Sequence, residues 1–190
     1  DGGRCVTSGS ASEDDQDALP NQEAEGDNEE EQQVTPDSGL WELDRFFEKV
    51  ELFFIRDNAK KAEKRLQFAR ERLLETKIMI KQNKLDAAAK AKDEHGKVLD
   101  SIKQDILQIK KSDSGEEVGE LIDIEKKLDS HTADIKKDVV KLKIKAKFDK
   151  GLKKKQGFFE DLAEGFEGQA KTVKEEIVAK KEGIKEKLDK

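Results

Sequence analysis

No proline follows Pro36 in this chain of 190 residues. A proline inside a helix costs about 3 kcal/mol, because it removes an amide donor and its ring clashes with the preceding turn. A long proline-free stretch built mainly of Lys, Glu, Ala, Leu and Ile therefore permits uninterrupted helices. Charged residues make up 43% of the chain and apolar ones 34%, against roughly 25% charged in an ordinary globular domain. Such a chain cannot fill one large spherical core. It suits long elements that each bury a single stripe. We therefore expect an all-α protein: an elongated antiparallel helical bundle made of helical hairpins.

Charge divides the chain in two. Residues 1–40 carry twelve acids and one base, Arg4. Residues 41–190 carry a modest excess of bases. The first segment, with stretches such as Ser12–Asp17 and Glu29–Gln33, has too few apolar residues to offset the entropy of ordering. We expect residues 1–35 to be a disordered acidic linker, residues 36–110 an N-terminal helical hairpin region, and residues 111–190 C-terminal helices. The first residue is Asp1 and not Met; a cleaved export signal or a truncated fragment would both leave such a start. No apolar run approaches the roughly 18 residues that a membrane-spanning helix needs.

Asp37 or Ser38 is placed to cap a first helix. That helix, Leu40–Ile55, is the most apolar stretch of the chain. Its Trp41, Leu43, Phe46, Phe47, Val50, Phe53 and Phe54 cover a wide arc, which predicts burial against several neighbours. A membrane-interface wedge is the alternative. Asp57 and Asn58 offer a turn and a new cap. Ala62, Leu66, Ala69, Leu73 and Ile80 then mark a second amphipathic helix, interrupted at Asn83 and Lys84. A third runs from Leu85 to about Lys110 on Ala88, Val98, Leu99, Ile102, Ile106 and Ile109, and its Ala87–Ala89 would allow close approach to the second. Ser114 and Glu117 fit a capping box after the break at Ser112–Gly115.

Leu121, Leu128, Ile135 and Leu142 recur every seven residues. Val118, Glu125, Thr132, Val139 and Ala146 form an imperfect alternate seam, so the segment has a coiled-coil character. Between Val140 and Phe148 apolar residues alternate with lysines, a strand signal, but the heptad runs through the same residues and we read helix. A last stripe joins Phe159, Leu162, Phe166, Ala170, Val173, Ile177, Ile184 and Leu188. Its glycines, Gly157, Gly165, Gly168 and Gly183, mark the helix expected to be weakest.

The Pro36-Asp37-Ser38 opening, Leu40-Trp41, the Phe-rich helix and the polar turn into Asn83–Ala89 (NKLDAAA) resemble an uncharacterised helical domain of unknown function. It is found in exported archaeal and bacterial proteins, and the likeness covers about residues 36–140. The resemblance implies a helical fold and an extracytoplasmic, cell-surface or secreted location. It implies no activity. A fainter echo relates Lys92–His95 with Leu99 to Leu128–His131 with Ile135; duplication of a helical unit would produce it, as would chance in a low-diversity sequence.

Little catalytic chemistry is legible. Two His and one Cys exclude a four-ligand Cys/His zinc site and an intrachain disulfide scaffold. There is no Gly-rich phosphate loop, nucleophile elbow or His-Glu helix motif. His95 beside Asp93 and Glu94, and His131 beside Asp129, would hold a transition metal only if their helices packed together; solvated surface histidines are the default. Cys5 lies in the acidic segment as a free or intermolecularly paired thiol. Lys136, Lys137, Lys141, Lys143, Lys145, Lys147, Lys150, Lys153, Lys154 and Lys155 form a basic run opposed only by Asp138 and Asp149. That run suits an anionic membrane or polymer. Without arginines and interleaved aromatics, nucleic acid is a poor fit.

The leading expectation is a non-enzymatic exported or cell-surface helical module with a structural or protein-interaction role. It needs no cofactor or small-molecule substrate and has a protein partner, self or other. A peripheral binder of anionic surfaces is the runner-up. A cytoplasmic coiled-coil assembly protein is the third reading.

Overall fold

The structure, a computed structural model, describes residues 34–110, 116–148 and 156–189. The expectations for residues 1–33, Cys5, the Ser114 capping box and Lys150–Lys155 fall outside the described residues. Among the described residues five helices follow in order: α1 (Trp41–Phe54), α2 (Asn58–Lys81), α3 (Leu85–Gln108), α4 (Glu116–Phe148) and α5 (Gln156–Leu188). The protein is all-helical among the described residues, as the pattern predicts, and residues 140–148 are helix.

The breaks have local causes. Asp57 caps α2, its carboxylate accepting from the Lys60 amide at 2.8 Å. Such a cap satisfies one of the four amides a helix start leaves free. At the other end Asn83 takes φ 63°, the left-handed region where Asn is tolerated better than most residues. Lys84 N–H donates to the Met79 carbonyl and Asn83 N–H to that of Ile80, at 2.8 and 3.0 Å. This closing motif reverses the chain within three residues.

Ion pairs and contacts fix the helix directions. Arg65 meets Asp105 and Asn58 meets Gln108, so α2 and α3 are antiparallel. Lys174 meets Asp129 and Lys181 meets Glu125, so α4 and α5 are too. Lys77 with Asp138 and Lys127 with Glu63 run α4 parallel to α2. Lys103 with Glu176, and Gly96 against Gln169, run α5 parallel to α3. Two antiparallel hairpins thus lie face to face, with α2 beside α4 and α3 beside α5. This leaves α3 and α4 on a diagonal.

Each helix contributes a stripe to the shared interior. Leu66, Ala69, Leu99, Ile102, Ile106, Leu121, Ile124, Leu128, Val173 and Ile177 fill one half. Leu73, Met79, Ile80, Ala88, Ile135, Leu162 and Phe166 fill the other. In α4 the buried set is Leu121, Ile124, Leu128, His131, Ile135 and Val139. The alternate seam therefore passes through Ile124 and His131. Glu125 and Thr132, which the heptad reading placed there, are half-buried beside it: Glu125 pairs with Lys181, and Thr132 donates to the Leu128 carbonyl. In α5 Leu162, Phe166, Ala170, Val173, Ile177 and Ile184 are buried where the spacing predicts and Leu188 is 44% exposed; the side chain of Phe159 is not among those described.

At 33 residues, α4 and α5 each outrun the 24-residue α2 and α3, by roughly 13 Å at 1.5 Å per residue. Because Asp138 already sits opposite Lys77 near the end of α2, the last turns of α4 overhang the first hairpin. Val140 and Ile144 are half-exposed there.

The αL residue yields a test of the reversal. Asn83→Gly is expected to change stability by no more than a few tenths of a kcal/mol, whereas Asn83→Val costs about 1–2 kcal/mol. Urea unfolding curves check this; equal stability of the two variants contradicts the assigned conformation.

Candidate functional site

The helix with the strongest sequence signal is the one that departs from it. α1 lies along the groove between α2 and α3, antiparallel to α2 and parallel to α3: Trp41 reaches Glu75, Glu48 reaches Arg72 and Glu51 reaches Lys64, while Glu42 and Arg45 reach Lys90 and Glu94. Its buried residues are Trp41, Arg45 and Glu48. The expected apolar packing does not occur. Leu43, Phe46, Phe47, Phe53 and Phe54 are 51–82% exposed, and Val50 is at 36%. Trp41 alone of the seven apolar residues faces inward. The reason is the surface α1 meets. The stripe Phe68, Arg72, Glu75, Met79 along α2 recurs at helical spacing and is buried, but its centre is charged, so the matching face of α1 is charged as well.

That seam is an ionic network, in which Arg72 Nε and Nη1 and Arg45 Nη1 have no hydrogen-bond partner. The Arg72 guanidinium has no exposure. Its Nη2 donates to Glu48 at 2.6 Å and lies 3.0 Å from Glu75 Oε1 and 3.6 Å from Asp44. The Trp41 indole N–H donates to the other Glu75 oxygen at 3.0 Å, and Arg45 Nη2 reaches Glu94 at 2.5 Å. The Trp41 ring lies 5.4, 5.6 and 5.1 Å from the cationic groups of Arg45, Arg72 and Lys90, within the range of cation–π attraction. Burial pushes the Glu75 carboxyl up to about 7, opposed by Arg72 and by the Trp41 hydrogen bond. Glu48 is raised for the same reason, with Arg72 and Arg45 pulling back.

A second polar group occupies the bundle interior between the two apolar halves. His95 of α3 and His131 of α4, on the diagonal, are both fully buried, with their Nε2 atoms 2.8 Å apart. They are not the solvated surface residues expected from their acidic neighbours. One ring donates its Nε2–H and the other accepts, so the accepting ring must be neutral, and burial disfavours a charge on the donor as well. Phe166 meets His95 edge-on at 4.4 Å. His95 Nδ1 and Gln169 Oε1 each lack a hydrogen-bond partner, and Gln169 favours the protonated form of His95. Gln169 stands beside the pair, and His131 Nδ1 is unpartnered as well. Gly96 lets Gln169 come this close, since a methyl group there would overlap its side chain. Burial, then the neighbouring imidazole, lowers His95 to about 3. Burial, then Arg70, lowers His131 to about 4.

The carboxylates that would complete a metal site lie elsewhere. Asp93 is exposed, Glu94 pairs with Arg45 and Lys97, and Asp129 pairs with Lys174. No group of three or more metal-ligating side chains converges among the described residues.

Of the basic run, Lys136, Lys137, Lys141, Lys143 and Lys147 are exposed along α4. Asp138 is turned away to Lys77 at 3.2 Å. The side chain of Lys145 is not among those described. No helix among the described residues is long and apolar enough to cross a membrane.

Sequence reasoning missed the Arg72 network because Arg72 and Glu75 read as outer-face charges when only one stripe per helix is sought. The signal was present: α2 carries a second buried row through Phe68 and Met79. The histidine contact had its signal too, since Ile124, Leu128, His131 and Ile135 share the seam spacing.

Both networks make stability depend on pH. Between 6.5 and the folded values near 3 and 4, the unfolded chain binds histidine protons that the folded chain refuses, so stability falls as pH drops through that window. Glu75 acts oppositely between 4.5 and about 7, where the folded chain keeps a proton the unfolded one has lost. We expect the loss of stability from neutral pH to pH 4.5 to be smaller in His95→Phe/His131→Leu than in the parent, by up to about 1.4 kcal/mol per pH unit per histidine removed. Equal slopes would place the histidines outside the core. Arg72→Met should cost about 3–5 kcal/mol at pH 8 and less at pH 5, where Glu75 takes up a proton. Chemical unfolding at the two pH values measures the difference.

The geometry can be set beside known proteins. A family described as "Domain of unknown function (DUF5667)" matches residues 33–188. No curated protein and no solved structure matches the chain.

Proposed function

The chain belongs to the DUF5667 family, whose description assigns no activity, and on that premise we propose that it is a non-enzymatic exported or cell-surface helical module whose role is contact with a protein partner. The observation that carries this reading is the outward apolar face of α1, with Phe46, Phe47, Phe53 and Phe54 58–82% exposed. Leu43 and Val50 extend the same face. A contiguous patch of large apolar side chains on a monomer marks an interaction surface. The placement of the tuned groups supports the same reading. Glu75, His95 and His131 have no exposure and are shut between helices, where their partners are other side chains of the chain. The exported location rests on the likeness of residues 36–140 to exported helical domains.

The test separates a contact surface from a core. Phe46→Ser/Phe53→Ser is expected to leave the unfolding free energy within about 0.5 kcal/mol of the parent, measured at low protein concentration through the fluorescence of Trp41, the one tryptophan. A buried Phe would cost about 3–5 kcal/mol on truncation, and a loss of that size contradicts the reading.

One observation favours a second reading, the peripheral binding of anionic surfaces. The overhanging end of α4 presents exposed Lys137, Lys141, Lys143 and Lys147 beside half-exposed Val140 and Ile144, a lysine-rimmed apolar strip. Sedimentation with anionic vesicles that weakens with added salt and is lost in Lys137→Glu/Lys141→Glu would support it.

A further inference from the structure

We propose that the occupant of the α1 face is a second copy of this chain, packed α1 against α1 in antiparallel fashion across a two-fold axis. The inference rests on the contact reading above and names its partner.

Three features carry it. The first is pattern. Leu43, Phe46, Phe47, Val50, Phe53 and Phe54 fall at successive spacings of three, one, three, three and one, which are the a, d and e positions of two heptads. That is the seam of a helix pair. The opposite face is occupied by Trp41, Arg45 and Glu48 on α2 and α3, so α1 is held rigidly with its seam outward. The seam is nearly symmetric about its middle. Reversed on itself, it sets Leu43 opposite Phe54 and Phe47 opposite Val50. The aromatic pairs Phe46–Phe47 and Phe53–Phe54, edge-on at 6.0 and 5.7 Å, offer each other ring faces that a second copy would cover.

The second feature is area. With Leu40 at 62% and four phenylalanines at 58–82% exposure, the face offers on the order of 800 Å² of mostly apolar surface, about what one partner contributes to a standard stable interface and more than the largest patch on a typical monomer.

The third is charge. Glu42 and Lys49, seven residues apart, lie along one rim of the seam, and Glu42 already reaches Lys90 at 3.7 Å. On the other rim Asp44 and Glu51 are already engaged within the chain, by Arg72 at 3.6 Å and Lys64 at 2.7 Å. An anionic membrane would meet these acids, among them Glu42 with a side chain 74% exposed, and be repelled.

Sedimentation of the full chain across the micromolar range is the experiment. The parent is expected to form a concentration-dependent dimer, and Phe47→Ser/Phe54→Ser to stay monomeric. A parent that stays monomeric overturns the proposal. So does a dimer that survives the Phe substitutions. A monomeric parent that instead binds neutral phosphatidylcholine vesicles through the same phenylalanines also overturns it, while leaving the contact reading intact. That reading fails separately, on the stability of Phe46→Ser/Phe53→Ser.

Discussion

A fully buried guanidinium has to be neutralised where it lies, and Arg72 determines much of what this protein presents to its surroundings. Its place on α2 is set by the buried row that also holds Phe68 and Met79. Bare, it would carry an uncompensated charge at a cost of several kcal/mol. Glu75 on the same helix supplies one carboxylate, itself raised toward neutrality by burial. The second, Glu48, must come from outside the hairpin. α1 delivers it, with Trp41 bonding Glu75 and Arg45 bridging to Glu94. The helix is therefore oriented by its charges. Its Phe-rich face is left outside because the inward face is already specified.

The histidine pair is the same logic applied to the bundle interior. A neutral Nε2–H···Nε2 bond at 2.8 Å requires α3 and α4 to face each other across the diagonal at one height. Apolar contacts among Leu, Ile and Val tolerate a sliding of helices by part of a turn; a single hydrogen bond between two buried rings does not. His95, His131 and Gln169 lie at the level of Arg72, between the two apolar halves of the core. Slippage by one turn would leave several polar groups buried and unpaired, each at a cost of roughly 1–3 kcal/mol. This layer gives register to an otherwise repetitive set of stripes, while the helix ends are tied by Asp57 and by the reversal at Asn83.

Much of this architecture was legible from residue spacing. The breaks at Asp57 and Asn83 were read from their capping and turn chemistry. The stripes of α2, α3 and α5 fell where Leu66, Leu99, Phe166 and Ile177 repeat. The α4 seam follows from Leu121, Leu128 and Ile135, and its alternate row holds at Val139 but lies one residue off at Glu125 and Thr132, where Ile124 and His131 are buried instead. α1 was misread more deeply. Its apolar arc is wide in sequence, and burial is the usual fate of such an arc.

The sequence by itself determined that the chain is helical, where each helix stops, and which rows of Leu, Ile, Val and Ala turn inward, since these follow from proline absence, capping residues and a period near 3.6. It also determined that the long last helices carry an exposed lysine strip. Only the tertiary structure decided that two histidines from different hairpins meet, that Arg72 lies inside, and that the most apolar helix shows its apolar side to the outside. These depend on which helix neighbours which. A charged residue is an outer-face residue until another helix is laid over it with a complementary charge, and no local pattern says which helix that will be.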